Sequence, residues 1–280
     1  MAPPPSPSLP LQERILALAK TLQFGWFTGH LVLLVSILRY SLSWLRFNYY
    51  SRTAQTCYRL SFVAAAVTYG IVIYKTFRAR QKVGAKYPTG AIGLLSDENV
   101  QYFAMALVWL FTPQYPLALL PYGIYSVFHV ATYTRANVIP TVAPAQGAGA
   151  TPGAKSSSPI ADAIGNFVKT YYDMSMSVVS ALEVLLWIRL LVAAILFQSR
   201  SWILLVVYTA FVRARFAQSS HVQSTVGQLN ARIDAAVGQQ GTPPVLRQVW
   251  DGVKSGGRQF HDVTDISKYT NGGAVPKKTS

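Results

Sequence analysis

Long uncharged stretches alternate with short basic segments along the chain, and their lengths predict membrane helices. Residues 21–38 carry no charged side chain, and residues 60–74 form a second such stretch. At about 1.5 Å per residue the first stretch spans roughly 27 Å as a helix, close to the ~30 Å hydrocarbon core of a bilayer. The pattern therefore predicts two membrane helices, over 22–45 and 60–77.

A third apolar region, residues 99–134, is too long for one ordinary span and contains Pro113, Pro116 and Pro121. Proline removes a backbone donor and disrupts a helix, so we expect the region to be broken at these positions. Its first leg, 99–112, covers only about 21 Å as a helix, which fits a re-entrant hairpin better than a full crossing. We therefore predict a proline-broken hairpin over 99–134.

A fourth apolar region, residues 178–212, is interrupted by the sequence QSRS and closed by Arg213 and Arg215, and it predicts a second hairpin. Both hairpins end a membrane module, but no convincing sequence repeat relates the modules. Residues 140–159 are rich in Pro, Gly, Ala and Ser, a composition typical of a flexible linker. The expected organisation is a disordered or interfacial N-terminus (1–20), a membrane module (21–139), the linker (140–159), a second membrane module (160–215) and a basic cytosolic tail (216–280).

The tail has no apolar run long enough to cross a bilayer, but it has helical periodicity. Apolar residues recur every three or four positions from Val222 to Val237. A second helix is predicted after Pro244, and one of its faces carries Val245, Leu246, Val249, Trp250, Val253, Phe260 and Val263. Arg247, Lys254 and Arg258 fall on the opposite face. This arrangement is typical of a helix lying in the membrane plane, although packing on this chain or on a partner stays open.

Composition strengthens the membrane interpretation. Hydrophobic residues make up 51% of the chain and charged residues only 12%, too few to cover a large water-facing surface. The net charge is +15, and the basic residues lie mainly beside apolar stretches and in the tail. Such a distribution favours an anionic membrane surface over nucleic acid. Counting positive charges places the loop 78–98, the tail and both termini in the cytosol, with the loop 46–59 and its three arginines on the lumenal side.

The sequence has no pattern for catalysis, metal binding or a cofactor. The single cysteine, Cys57, excludes an intrachain disulfide, and the 4 histidines lack metal-ligand spacing. Glu183 and Arg189 lie within the fourth apolar region, where an ionisable group costs about 2.5–3.5 kcal/mol on insertion scales. They indicate either a transport path that also uses His129, or charges that snorkel or pair with other helices. A small-solute transporter or channel and a membrane-anchored adaptor for soluble partners therefore remain alternative functions.

Four stretches of the chain are distinctive: HLVLLVSILRYSLSWLRF (30–47), YRLSFVAAAVTYGIVIYK (58–75), DENVQYFAMALVW (97–109) and PYGIYSVFHVATYTR (121–135). They resemble the transmembrane protein 33 family, whose fungal branch includes a pore-membrane nucleoporin. The resemblance implies an all-α, polytopic and non-enzymatic protein of the endoplasmic reticulum and nuclear envelope, active in nuclear-pore assembly or distribution and in membrane shape. It also implies nuclear-pore components, reticulon-like membrane proteins and an import receptor on the basic tail as partners, besides anionic lipid headgroups.

The predicted elements supply a mechanism for such a role. Hairpins that occupy the cytosolic leaflet more than the lumenal leaflet expand the cytosolic leaflet, and shallow in-plane helices act in the same way. We therefore expect 99–134, 178–212 and 245–263 together to sense or stabilise membrane curvature.

Overall fold

The computed structural model describes residues 8–82, Gly84, residues 91–144 and residues 158–264. Within these residues the chain is helical and has no β-strand, so the predicted all-α class is confirmed. The α-helices are α1 (Leu11–Ala19), α2 (Leu22–Leu45), α3 (Arg52–Lys82), α4 (Ala91–Leu95), α5 (Glu98–Phe111), α6 (Pro116–Tyr133), α7 (Ile139–Val142), α8 (Pro159–Ile195), α9 (Ser201–Gln218), α10 (Ser220–Val237) and α11 (Pro244–Val263). A π-helical turn joins α6 to α7, and α2, α3 and α8 are each long and apolar enough to cross a bilayer.

The ends of α2 and α3 show that the length of an apolar stretch does not always equal the length of the helix that contains it. Helix α2 has the bounds of the first predicted membrane helix, whereas α3 extends beyond the predicted 60–77 at both ends. Polar residues such as Arg, Lys and Gln are good helix formers, so α3 continues past its apolar part. The predicted loop 46–59 is therefore confined to residues 46–51.

The third apolar region folds as the hairpin α5–α6. The Asp97 side chain caps α5 by accepting a hydrogen bond from the Asn99 backbone N–H at 2.8 Å. Pro116 lies in the first turn of α6, where a missing N–H costs nothing. The prediction that Pro121 also breaks the region is wrong, because Pro121 is buried inside α6 and neighbouring helices support the backbone there.

The two predicted membrane modules share one core. Helix α8 begins at the last residue of the predicted linker, α7 takes up residues at its start, and residues 145–157 lie outside the described residues. Buried side chains of α2, α3, α5, α6, α8 and α9 form one continuous hydrophobic cluster, which includes Tyr58, Trp109 and Leu190. The linker therefore separates the modules in sequence but not in their packing.

The pairs α2–α3, α5–α6 and α8–α9 are three helical hairpins, here called the first, middle and third hairpins. Gln114, in the turn of the middle hairpin, accepts a hydrogen bond from Tyr40 of the first at 3.1 Å. Gln114 also lines one cavity with Tyr49 of the first turn and another with Gln198 of the third turn. All three turns thus meet at one end of the molecule, the tip face, and each hairpin begins and ends at the opposite end.

The first and third hairpins have the same turn at a spacing of 150 residues. Phe47 and Phe197 both adopt a left-handed backbone conformation, with φ of 55° and 53°. In each turn the following amide, of Asn48 or Gln198, donates to the carbonyl five residues earlier, at 2.8 and 3.0 Å. This is the Schellman arrangement, which normally selects glycine at the left-handed position.

The pattern of burial repeats as well. Nine buried positions of the first hairpin are matched 150 residues later by nine buried positions of the third. In order they are His30, Leu33, Ser36, Tyr40, Ser43, Ala54, Tyr58, Ser61 and Ala65, matched by Ser180, Glu183, Leu186, Leu190, Ala193, Leu204, Tyr208, Phe211 and Arg215. A structural repeat is therefore present although few residues are identical, among them Tyr58 and Tyr208.

Candidate membrane-binding surface and its supports

Helix α11 exposes an apolar face. None of its residues is buried, and a proline in its first turn fits the helix start. Six of the predicted apolar side chains are between 46% and 70% exposed: Val245, Leu246, Val249, Val253, Phe260 and Val263. An exposed apolar face of this kind marks a surface that meets a membrane or a protein.

Trp250 differs from the rest of the face because it is half-buried against α10. Its indole N–H donates to Asp234 Oδ1 at 2.7 Å, and Lys254 Nζ lies 2.8 Å from the same oxygen. Lys254 thus pairs with α10. Arg247 and Arg258 are exposed, and Arg247 donates to the Gln239 carbonyl at 2.8 Å. The bonds from Lys254 and then Trp250 hold the pKa of Asp234 below its usual range, so both contacts favour the ionised carboxylate.

The C-terminal end of α11 is attached to α9. Arg213 Nε donates to Thr264 Oγ1 at 2.8 Å, and a second guanidinium nitrogen donates to the carbonyls of His261 and Thr264 at 3.4 and 3.3 Å. The Phe216 ring contacts the His261 ring edge-on, with centroids 5.8 Å apart. Because α9 ends opposite the tip face, α11 is held beside that end of the bundle with its apolar face open.

Glu183 is buried, with 1% of its side chain exposed, and it joins three helices. Arg215 Nε of α9 lies 3.3 Å from its carboxylate, and the Tyr102 hydroxyl of α5 donates to it. Arg215 also forms an ion pair with Glu98 at 2.7 Å. These four side chains, the Glu183 cluster, are mutually satisfied, which is the condition for charges to be retained in a core.

The structure does not bring together the charges of the transport hypothesis. Glu183 lies in the core, whereas Arg189 is exposed at the tip face and lines a cavity of about 250 Å³ there. His129 lies against Trp26 and His30, with ring centroids 5.0 and 4.7 Å away. It lines a different cavity, of about 470 Å³.

Sequence reasoning missed the partners of Glu183. Arg215 was interpreted only as the boundary of an apolar region, and no local spacing relates it to a glutamate 32 residues earlier. Arg215 occupies the position that corresponds to buried Ala65 in the repeat, but the repeat lies in the burial and turn geometry of the structure, so the sequence alone contains no signal for this partner. Among the described residues, no three His, Cys, Asp or Glu side chains are grouped to hold a metal ion.

Comparisons with known proteins agree on one family. The family profile described as Transmembrane protein 33/Nucleoporin POM33 matches residues 9–257. The chain is 61% identical to Nucleoporin POM33 of Chaetomium thermophilum, with 99% of each chain covered. It is 33% identical to the Pore membrane protein of 33 kDa of Saccharomyces cerevisiae (89% and 88% covered) and 30% identical to Tetra-spanning protein 1 of Schizosaccharomyces pombe (88% and 86% covered). No solved structure matches the chain.

Proposed function

Because the chain belongs to the transmembrane protein 33/nucleoporin POM33 family, we propose that it is a non-enzymatic membrane protein of the nuclear pore membrane and the continuous endoplasmic reticulum. The C. thermophilum relative is named a nucleoporin and the S. cerevisiae relative a pore membrane protein. The apolar, membrane-length helices α2, α3 and α8 support the membrane location.

The exposed face of α11 carries the proposal that the chain favours curved membrane. A helix with an apolar face and an opposite basic face inserts at the level of the headgroups and expands the leaflet it enters. Arg258 is exposed, and Arg247 is exposed although one of its guanidinium nitrogens donates to the Gln239 carbonyl at 2.8 Å. Each arginine is worth about 1 kcal/mol near a surface of anionic headgroups. The contacts to Asp234 and Arg213 keep the face beside the bundle, so insertion of α11 acts at the protein itself.

The topology supports a cytosolic position for α11. Each hairpin returns the chain to the end opposite the tip face, so α1 and α11 belong to the same side. The basic end of α3, with Arg78 and Lys82, lies on that side too, and basic segments favour the cytosol. The name of the S. pombe relative describes four spans. An even number of spans likewise leaves both ends of a chain on the same side of the membrane.

The hairpins themselves contribute less to this proposal than the sequence suggested. Since the three turns lie at one end, the middle and third hairpins extend as deep as α2–α3, which is long enough to cross. Hairpins of equal depth do not load one leaflet selectively. The asymmetric insertion is therefore assigned to α11.

Single-vesicle fluorescence tests the curvature proposal. The labelled full-length chain is reconstituted into liposomes of mixed diameter containing anionic lipid, and its density is measured against vesicle size. We expect a several-fold higher density in the smallest vesicles for the wild type and a flat profile for Val249→Asp. The matched control Gln248→Asp adds the same charge beside the apolar face and should sort like the wild type. Equal sorting by Val249→Asp and the wild type would contradict the role of α11.

Imaging tests the location and the partners. The tagged chain is imaged beside a nuclear-pore marker in fungal cells, where we expect punctate rim signal coincident with pores. Nuclear-pore components, reticulon-like membrane proteins and an import receptor on the basic tail are the partners we propose. Neutralising Arg247 and Arg258 should release an import receptor while leaving the chain in the membrane. Signal confined to the plasma membrane or vacuole would overturn the proposal and favour a transporter.

A further inference from the structure

The repeat gives two arginines the same place in the two hairpins. Arg39 and Arg189 are both exposed and both lie eight residues before the left-handed phenylalanine of their turn. The Arg39 guanidinium donates to Ser43 Oγ at 2.5 Å, whereas the position equivalent to Ser43 in the third hairpin is Ala193. Within the described residues no hydrogen bond or ion pair involves Arg189. The third hairpin therefore holds a free guanidinium where the first holds an occupied one.

Arg189 lines the tip-face cavity of about 250 Å³ together with the turn of the middle hairpin. Two amides share this cavity, those of Gln114 and Gln198. The Gln114 carbonyl oxygen accepts from Tyr40, which leaves its NH₂ group to donate elsewhere. No carboxylate lines the cavity. A guanidinium with amide donors and without an acidic side chain selects an oxyanion, and the planar fork of arginine matches two phosphate oxygens.

The surroundings indicate where the phosphate comes from. Large aromatic side chains are exposed around the turns of the first and third hairpins: Trp44, Phe47, Tyr49, Tyr50, Phe197 and Trp202. Such a belt marks the level of the lipid headgroups. The tip segments 39–59 and 189–200 contain arginine as their only charged residue type. The phosphates that meet this end of the molecule are therefore those of phospholipids.

From this combination, we propose that the cavity beside Arg189 binds the phosphate group of an anionic phospholipid. The cavity offers no carboxylate to receive the ammonium group of choline or ethanolamine, so a lipid with a net negative headgroup, such as phosphatidylinositol, is preferred. The proposed phosphate site rests on the proposed membrane location of the tip face and not on the curvature role of α11. An experiment can therefore contradict the phosphate site without contradicting the curvature role, and the reverse.

Native mass spectrometry of the full-length chain in detergent tests the site. Phosphatidylinositol or phosphatidylcholine is titrated in, and bound lipid is counted. We expect phosphatidylinositol to bind several-fold more tightly than phosphatidylcholine, and Arg189→Gln to weaken phosphatidylinositol binding about tenfold. Arg39→Gln, at the equivalent position of the first hairpin, should leave binding unchanged. Unchanged binding by Arg189→Gln, or an equal loss in Arg39→Gln, would overturn the proposal.

A second variant leaves the charge in place. Ala193→Ser gives the third hairpin the hydroxyl that occupies Arg39 in the first, so we expect it to engage Arg189 and weaken phosphatidylinositol binding without changing net charge. Wild-type affinity in Ala193→Ser would count against the free guanidinium as the binding group.

Inorganic phosphate is the remaining probe. If it stabilises the wild type against heating as strongly as phosphatidylinositol does, the site takes free phosphate and the lipid assignment is wrong.

Discussion

The first and third hairpins share one backbone design but differ in what fills it. At the positions where the first hairpin buries Leu33 and Ala65, the third buries Glu183 and Arg215. Their turns nevertheless share the exposed left-handed phenylalanine and the hydrogen bond that follows it, although Arg200 of the third turn is also left-handed and the equivalent Tyr50 is not. The backbone thus determines which positions are buried, while the residue type remains free as long as each buried polar group finds a partner.

The difference follows from the neighbours of each hairpin. The third hairpin faces Tyr102 and Glu98 of α5, which complete the bonding of the Glu183–Arg215 pair. The first hairpin is instead joined by close approach of small residues, because a Cβ atom on Gly29 would lie 2.5 Å from the Thr68 methyl group. Small residues at helix contacts and hydrogen-bonded polar groups are the two usual means of association inside a membrane.

Breaking the ion pair should have the largest effect. Arg215→Ala leaves Glu183 buried without its cation, and we expect a loss of about 3–5 kcal/mol in the free energy of unfolding. The measurement is SDS-induced unfolding of the purified chain in mixed micelles. The double variant Glu183→Leu with Arg215→Ala carries the residues of the first hairpin at both positions and should recover most of this loss. A double variant as unstable as the single one would show that the two hairpin interiors are not interchangeable.

Adding a methyl group to the close contact of the first hairpin should have an intermediate effect. Gly29→Ala forces α2 away from Thr68, at an expected cost of about 1–3 kcal/mol in the same unfolding measurement. Gly25→Ala is the matched control, since nothing lies within 4 Å of its added Cβ, and it should stabilise α2 slightly. The equivalent position in the third hairpin is buried Val179, so this contact belongs to the first hairpin alone. Equal stability of the Gly29→Ala and Gly25→Ala variants would show that the close contact between Gly29 and Thr68 does not distinguish the first hairpin from the third.

Much of this fold follows from the lengths of the apolar stretches. Helix α2 has its predicted bounds because its apolar length and its helical length coincide. The stripe from Val222 to Val237 predicted α10, and Pro244 marked the start of α11. Both rest on local periodicity and capping, which a single sequence contains.

The remaining features depend on groups that are distant in sequence. The Glu183 cluster draws on α5, α8 and α9, so no single window includes it. The repeat cannot be recognised from the sequence, because it consists of a shared burial pattern and turn geometry. The residues at equivalent positions differ in chemical type, as the pair Leu33 and Glu183 shows. The hydrogen bond that holds Trp250 could not be predicted from the sequence either, because its acceptor, Asp234, lies on another helix.

The smallest expected effect concerns the tail, which is attached to the third hairpin and has no counterpart after the first. Asp234 forms its ion pair with Lys254 only while ionised, and the bonds from Lys254 and Trp250 lower its pKa. A lowered folded-state pKa means that the contact is complete above the unfolded value of about 3.9 and is lost as the pH falls through the lower folded value. Because the contact is complete throughout this range, hydrogen exchange of α11 should not change with pH between about pH 5 and 8, after correction for the intrinsic rate.

Asp234→Asn tests the contact at neutral pH. It removes the charge that attracts Lys254, and we expect faster exchange across α11 with little change in global unfolding, because exposed charge pairs are weak. Asp251→Asn is the control, since Asp251 also lies 3.3 Å from Lys254 but on the same helix, where it joins nothing to α10. Faster exchange in Asp234→Asn alone would establish that α10 helps to position the apolar face of α11. Equal exchange in both variants would mean that Arg213 and the α9 end suffice, and that α10 contributes nothing to holding the face in place.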